Sequence, residues 1–346
     1  MSFKPQCLAT AIGSFPHNNV ATACQIIFES IPEIPVWPQL PNSDFRENME
    51  IQYSEGLPRV VLDEKKERMY FDTSGDFSQE LEKFYENYLA ENLEYFHISP
   101  EFSRGLYEME KIFKSGSQPK PKFFKGQVTG PITEGLGRVD ENKRSIYYNE
   151  LFRDVIVKAT EMKARWLINK FKFLECNQIC FVDEPILSAF GSSTYVSVHR
   201  DDVVRYLNDV IKAIHKEGAL AGCHCCGNTE WTILIDAGID IISFDAYEYG
   251  ETIGYYPQEV KAFLEKGGSL AWGIVPTSEK SFQETPQSLI DKLKVLINNL
   301  AQKGINKNLL WEQCLLTPSC GTGSLSVELA EKIFEHLQEV SYKLRN

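Results

Sequence analysis

The sequence predicts an α/β fold: a single (β/α)8 TIM barrel with a helical insertion between strands 2 and 3. Three observations carry this. Eight short apolar, β-rich runs alternate with amphipathic segments of helical period along most of the 346 residues. The runs lack strict polar–apolar alternation, as parallel strands covered on both faces do. Gly218, Gly267 and Gly304 stand where a helical pattern stops and the next strand begins.

In order, the first two strands span 7–13 and 35–40. Residues 41–121 follow. They are too long for one helix and too polar for an extra sheet, and 79–94 and 102–114 carry helical patterns. They read as an insertion on the catalytic face. The third strand spans 122–128 and leads to a helix over 149–173. The fourth, 178–183, leads to a helix over 201–217. The fifth and sixth are 219–225 and 240–245, with a helix over 257–266. The seventh, 269–274, precedes a helix over 285–303. The eighth, 309–315, precedes the last helix, 326–344. The whole chain, 1–346, reads as one domain. A doubly wound open sheet is the alternative, weakened because no Gly-x-Gly-x-x-Gly follows the first strand.

Apolar residues make up 43% of the chain, enough for a full core, and the net charge of −12 speaks against a nucleic-acid binder. No run approaches the roughly 18 apolar residues of a membrane span, and no long apolar run follows Met1 to suggest a signal peptide. Nine cysteines, an odd number, do not form the framework of a small secreted domain. The expectation is a cytoplasmic protein with free thiols and no membrane partner. The lysine-rich stretch 111–125 reads as a solvated face.

In such a barrel, functional residues sit at the carboxyl ends of the strands. Ser14, Thr129-Gly130-Pro131, Asp183-Glu184-Pro185, His224 with Cys226, Asp245 and Cys320 all fall there. Alternation along a strand points His224 and Cys226 to one face and Cys223 and Cys225 to the other. Imidazole and thiolate together select zinc. A site built from His224, Cys226 and Cys320 is therefore geometrically reasonable, with Asp245 for a fourth position. Locally, buried thiols remain an alternative, and Asp183-Glu184-Pro185 fits a helix cap as well as a ligand contact. Cys7, Cys24, Cys176, Cys180 and Cys314 read as core residues.

Taken together, Ile12-Gly13-Ser14-Phe15-Pro16, Gly126-Gln127-Val128-Thr129-Gly130-Pro131, Val182-Asp183-Glu184-Pro185, His224-Cys225-Cys226 and Cys320-Gly321 resemble the catalytic half of cobalamin-independent methionine synthase. That family lies in the superfamily that also holds uroporphyrinogen decarboxylase. The resemblance implies a zinc ion on His224, Cys226 and Cys320. It implies Asp245 as the exchangeable catalytic ligand where the family has glutamate. It also implies homocysteine held by Ser14 and the backbone of Ile12 at its carboxylate, and by Asp183 and Glu55 at its ammonium.

The departures matter equally. Ile132-Thr133-Glu134-Gly135 lacks the family's folate-side tryptophan. Trp272-Gly273-Ile274-Val275-Pro276-Thr277 lacks its histidine. The chain thus resembles the short, single-barrel core type, which implies a methylcorrinoid donor on a partner corrinoid protein. Alternatives are another acceptor thiol of the coenzyme M kind, a methyltetrahydrofolate donor, or a non-catalytic zinc-binding barrel.

Overall fold

The computed structural model describes residues 3–346. Among these residues the strands are β1 (Leu8–Ala9), β2 (Val60–Asp63), β3 (Arg68–Phe71), β4 (Phe123–Thr129), β5 (Asn177–Asp183), β6 (Leu220–Cys225), β7 (Ile241–Phe244), β8 (Ser269–Val275) and β9 (Cys314–Pro318). Seven of them form one curled, parallel sheet in the order β1-β9-β8-β7-β6-β5-β4. The chain thus leaves β1, crosses to β4 and returns strand by strand to pair β9 with β1, Leu8 opposite Leu315.

The long predicted helices form, as Glu150–Lys170, Arg200–Lys216, Pro257–Glu265, Pro286–Gln302 and Val327–Arg345. The side chains of Asn149, Thr285 and Ser326 cap three of them by accepting from first-turn amides. Gly218, Gly267 and Gly304 take φ of +81°, +100° and +89°, the left-handed stop that a side chain would strain.

Three expectations are corrected. The second strand, 35–40, forms no continuous ladder. Instead it makes two isolated parallel bridges, Val36 to Lys125 on one edge of the sheet and Gln39 to Ser14 on the other. Pro35 and Pro38 remove two amide donors from this run, which is why the ladder breaks. The eighth strand lies later than 309–315. Lys307–Glu312 is a short helix whose amides at Asn308 and Leu309 are capped by the Asn306 side chain, and the strand is Cys314–Pro318. Finally, the 41–121 stretch is not purely helical. β2 and β3 pair as an antiparallel hairpin across a charged turn, Glu64–Lys66. Its helix Arg104–Lys114 lies in the outer layer of the sheet. Phe113 there packs edge-on to Phe28 at 5.4 Å and to Phe124 of β4 at 5.8 Å. A Cβ at Gly105 would run into the backbone carbonyl of Pro38.

The outer helices are also pinned by charge. Glu217, just past Arg200–Lys216, accepts from Arg165 Nε at 2.7 Å, Asn169 Nδ2 at 2.7 Å and Lys172 Nζ at 2.8 Å. Burial alone would raise its carboxyl, but these three donors hold it at about 2. Glu217→Gln is expected to destabilise the fold by about 2 kcal/mol at neutral pH. The folded pKa lies below the unfolded one. The loss is therefore full above the ordinary glutamate range and fades as pH falls towards 2. Thermal melts of both proteins across that range check it.

The sheet divides the core in two. One apolar cluster fills the space between sheet and helices and includes Cys180, Val182, Cys223, Cys225 and Trp272. A second, smaller cluster joins Phe3, Leu8, Ile34, Ile179, Phe181, Ile241, Ala271 and Leu315, with Phe123 and Leu220 against it. Its members sit at alternate positions on β5 and on successive strands, so they form the inner face of the curl. This inner cluster closes the amino-terminal half. Towards the carboxyl ends the same face carries Lys125, Gln127, Asp183 and His224, all buried.

Candidate metal and substrate site

At the carboxyl ends of the strands lies a cavity of about 240 Å³, lined by Ile12, Ser14, Gln39, Pro41, Glu47, Asn48, Met49, Asp183, Pro185, His224, Cys226, Cys320, Gly321, Gly323 and Ser324. Sequence reasoning anticipated Ile12, Ser14, Asp183, His224, Cys226 and Cys320, and the structure brings all six to one cavity.

The ligand atoms of His224, Cys226 and Cys320 lie within 4.8 Å of one another. Among the described residues this is the grouping of His, Cys, Asp or Glu that closes tightly enough to hold a metal ion. β6 ends at Cys225, so His224 projects from the inner face and Cys226 from the turn beyond it. Cys320 follows β9, and its loop is tied to the loop after β8: Ser319 Oγ accepts from Thr277 N at 3.0 Å. His224 Nδ1 is 3.0 Å from Ser243 Oγ on the neighbouring strand β7, which fixes the ring plane. Its Nε2 is buried without a partner. A buried ring nitrogen without a hydrogen bond is costly unless something else occupies its lone pair.

The neighbouring Cys320 and His224 side chains hold Cys226 well below the usual thiol range, while Cys226 pushes Cys320 up. Tetrahedral zinc separates nitrogen and sulfur donors by roughly 3.5 Å, so an N, S, S set of this compactness fits the ion.

Ser14 is fixed from two sides. Its carbonyl accepts from Thr322 N at 2.9 Å, and its Oγ accepts from Gly323 N at 3.2 Å. The hydroxyl proton therefore stays free to donate into the cavity. Asp183 ends β5, 6% exposed, with Oδ1 unpartnered. Burial pushes its carboxyl up, opposed by Lys125 and His224.

Two expected residues take other places. The Asp245 carboxylate lies outside the ligand cluster. Its Oδ1 accepts from Glu248 N at 2.9 Å, capping the turn Ala246–Tyr249, and burial raises its carboxyl to about 6. Aspartate's short stem favours this local cap over reaching across the strand ends. Glu55 lies off the cavity, its Oε2 accepting from Ser99 N at 2.7 Å. The acid that does reach the lining is Glu47, fully buried, bound by Leu40 N at 3.0 Å and Arg104 Nε at 2.6 Å. Its position in a short capped turn, Phe45–Glu47, gave no strand-end signal in the sequence. Lys125, expected in a solvated face, is fully buried on the inner face of β4. The alternation of Lys125, Gln127 and Thr129 on one face was the signal that could have found it.

No family model and no curated protein matches the chain. Among solved structures, a B12-independent methionine synthase from Shewanella sp. W3-18-1 in complex with selenomethionine is 13% identical, with a TM-score of 0.57 and 98% of each chain covered. A candidate vitamin-B12-independent methionine synthase from Listeria monocytogenes is 14% identical, with a TM-score of 0.56 over 94% of this chain and 85% of that one. At these identities the likeness shows the fold. Among the described residues no helix is long and apolar enough to cross a membrane.

Proposed function

We propose that this chain is a zinc-dependent methyltransferase that methylates the thiol of homocysteine to give methionine, with a methylcorrinoid carried by a partner protein as donor. The observation that carries the reading is the convergence, in one cavity, of His224, Cys226 and Cys320 with the unpartnered carboxylate of Asp183 and the free hydroxyl of Ser14. One end suits a metal-held sulfur and the other an amino-acid head. The fold shared with methionine synthases adds support. We also read residues 33–39, which bridge Ser14, beyond β1, to β4, as the eighth stave of a closed barrel in a single domain.

His224, Cys226 and Cys320 would hold the zinc ion. Zinc there would supply the Lewis acidity that keeps a thiol, whose pKa is ordinarily about 8.5, as a nucleophilic thiolate at neutral pH. Asp183 pairs with the substrate ammonium, which gives its buried Oδ1 the partner it otherwise lacks. Ser14 donates to the substrate carboxylate. The Ile12 carbonyl is taken by Lys125, so its N–H is what Ile12 offers. Fixing both ends of the amino acid fixes where the sulfur points, and positioning of this kind is worth several kcal/mol. The methyl carbon forms a bond to sulfur as its bond to the donor breaks, the electron pair leaving with the donor. A cobalt donor departs without a proton from the protein, which fits a loop after β8 that carries Thr277, bonded to Ser319, and no histidine. A methyltetrahydrofolate donor is the second reading, favoured by the B12-independent description of the Shewanella neighbour.

Zinc content with X-ray absorption at the zinc edge, with and without L-homocysteine, tests the acceptor. Two sulfur neighbours rising to three are expected; an unchanged shell would overturn the homocysteine reading. Methyl transfer from methylcobalamin but not from methyltetrahydrofolate is expected, and the reverse would establish the second reading. Gly321→Ala gives a further check. Its Cβ would fall on the Ser14 hydroxyl, so homocysteine binding is expected to weaken about tenfold with zinc retained, read by calorimetry.

A further inference from the structure

Lys125 is fully buried on the inner face of β4, and nothing in the reaction above uses its charge. Its Nζ donates to the carbonyl of Ile12 at 2.6 Å, lies 3.5 Å from Gln127 Oε1 and sits 4.3 Å above the ring of Phe181. A desolvated ammonium is costly, and a methionine would fill the same space without that cost. The cost is offset where the charge is used, and two uses are visible.

The first is the turn that presents Ser14. Gly13, between Ile12 and Ser14, has φ of +150°, and a Cβ there would strike the side chains of Gln127 and Gln39. The turn is tightly seated, and the ammonium anchors it through Ile12. The second is Asp183. It stands two residues beyond Phe181, the ring under the Lys125 ammonium, on the same face of β5. Burial lowers the Lys125 ammonium to about 8, and Asp183 opposes that fall, so the two charges feel each other. Lys163 provides the contrast. It is equally buried, but it lies on the helix Glu150–Lys170 and donates to the carbonyl of Glu55, away from the cavity.

We propose that Lys125 is a positioning residue for the amino-acid head of the substrate, its ammonium anchoring the Ile12–Ser14 turn and balancing the charge of Asp183 from below. This rests on the homocysteine reading. It assigns Lys125 to recognition of the head group and not to the metal or the sulfur.

Calorimetry on the zinc-loaded full chain tests it, with L-homocysteine and 1-propanethiol as paired probes. The second has the thiol and lacks the head. Lys125→Met is expected to weaken homocysteine binding about tenfold or more while propanethiol affinity and zinc stoichiometry hold. Lys125→Arg should recover part of the difference. Equal losses for both thiols, or none for either, would overturn the proposal while leaving the homocysteine reading intact. A native protein that binds both thiols alike would overturn both. If Lys125→Met does not fold, the ammonium resonance of Lys125 in the native protein decides. A shift on adding homocysteine but not propanethiol supports the proposal, and no difference between the two overturns it.

Discussion

Cys226→Ala and Cys320→Ala are each expected to lose most bound zinc and to slow homocysteine methylation on the order of 10³-fold or more, about 4 kcal/mol of barrier, while the fold survives. Each substitution removes one of three ligand atoms that lie within 4.8 Å of one another, and both sulfurs sit at the cavity wall, not in the apolar core. The informative control is Cys225→Ala. Cys225 points the other way on β6, into the cluster between sheet and helices. Removing its sulfur should cost about 1–2 kcal/mol of stability through the cavity left behind, with zinc and activity retained. Metal analysis, initial rates and thermal melts on the three variants separate the faces of one strand. If Cys225→Ala lost zinc and Cys226→Ala kept it, the assignment of faces would be wrong.

Asp183→Asn is expected to raise KM for L-homocysteine roughly 100-fold, with a smaller change in kcat, and to leave the fold at least as stable as before. Asparagine keeps the shape and removes the charge. Asp183 is nearly fully buried, its Oδ1 has no partner, and burial raises its carboxyl. A folded pKa above the unfolded one means that the ionised group costs stability as pH rises through its folded value. The substitution relieves that cost and forfeits the ammonium partner. A less stable variant with unchanged KM would sink the recognition role and leave Asp183 a packing residue. Steady-state kinetics beside denaturant melts on one preparation give both numbers.

The parts of this chain that were legible in its sequence are those set by local rules. Helix limits at Gly218, Gly267 and Gly304 follow from a backbone conformation that glycine alone takes without strain. The facing of His224 and Cys226 follows from strand alternation, and so does the burial of Cys223 and Cys225. What sequence reasoning missed was decided by competition. Asn306 captured the first part of the run 309–315, through Glu312, for a helix by capping its first amides, an avoidable error, since an asparagine before an apolar run is a start signal. The hairpin β2–β3 hid its short apolar strands behind the charged turn Glu64–Lys66. Asp245 lay at the right strand end, but a local amide claimed its carboxylate. Lys125 could be placed only by trusting alternation over the rule that lysine is exposed. Glu47 reaches the cavity through tertiary contacts with Leu40 and Arg104 that no spacing encodes.

The pairing of β9 with β1 has a consequence for how the protein matures. Cys320 follows the last strand of the sheet, whereas His224 and Cys226 lie at the end of β6, three places away in the sheet order. A nascent chain that has emerged through β6 and the turn after it carries His224 and Cys226 but not Cys320. Metal therefore cannot template this fold as it does a zinc finger, where ligand capture and folding are one event. On the proposed zinc reading, the ion would arrive after the last ladder has zipped, entering a finished cup. Loading is then a separate kinetic step, and apoprotein refolded in chelator should regain native secondary structure at the same rate as protein refolded with zinc.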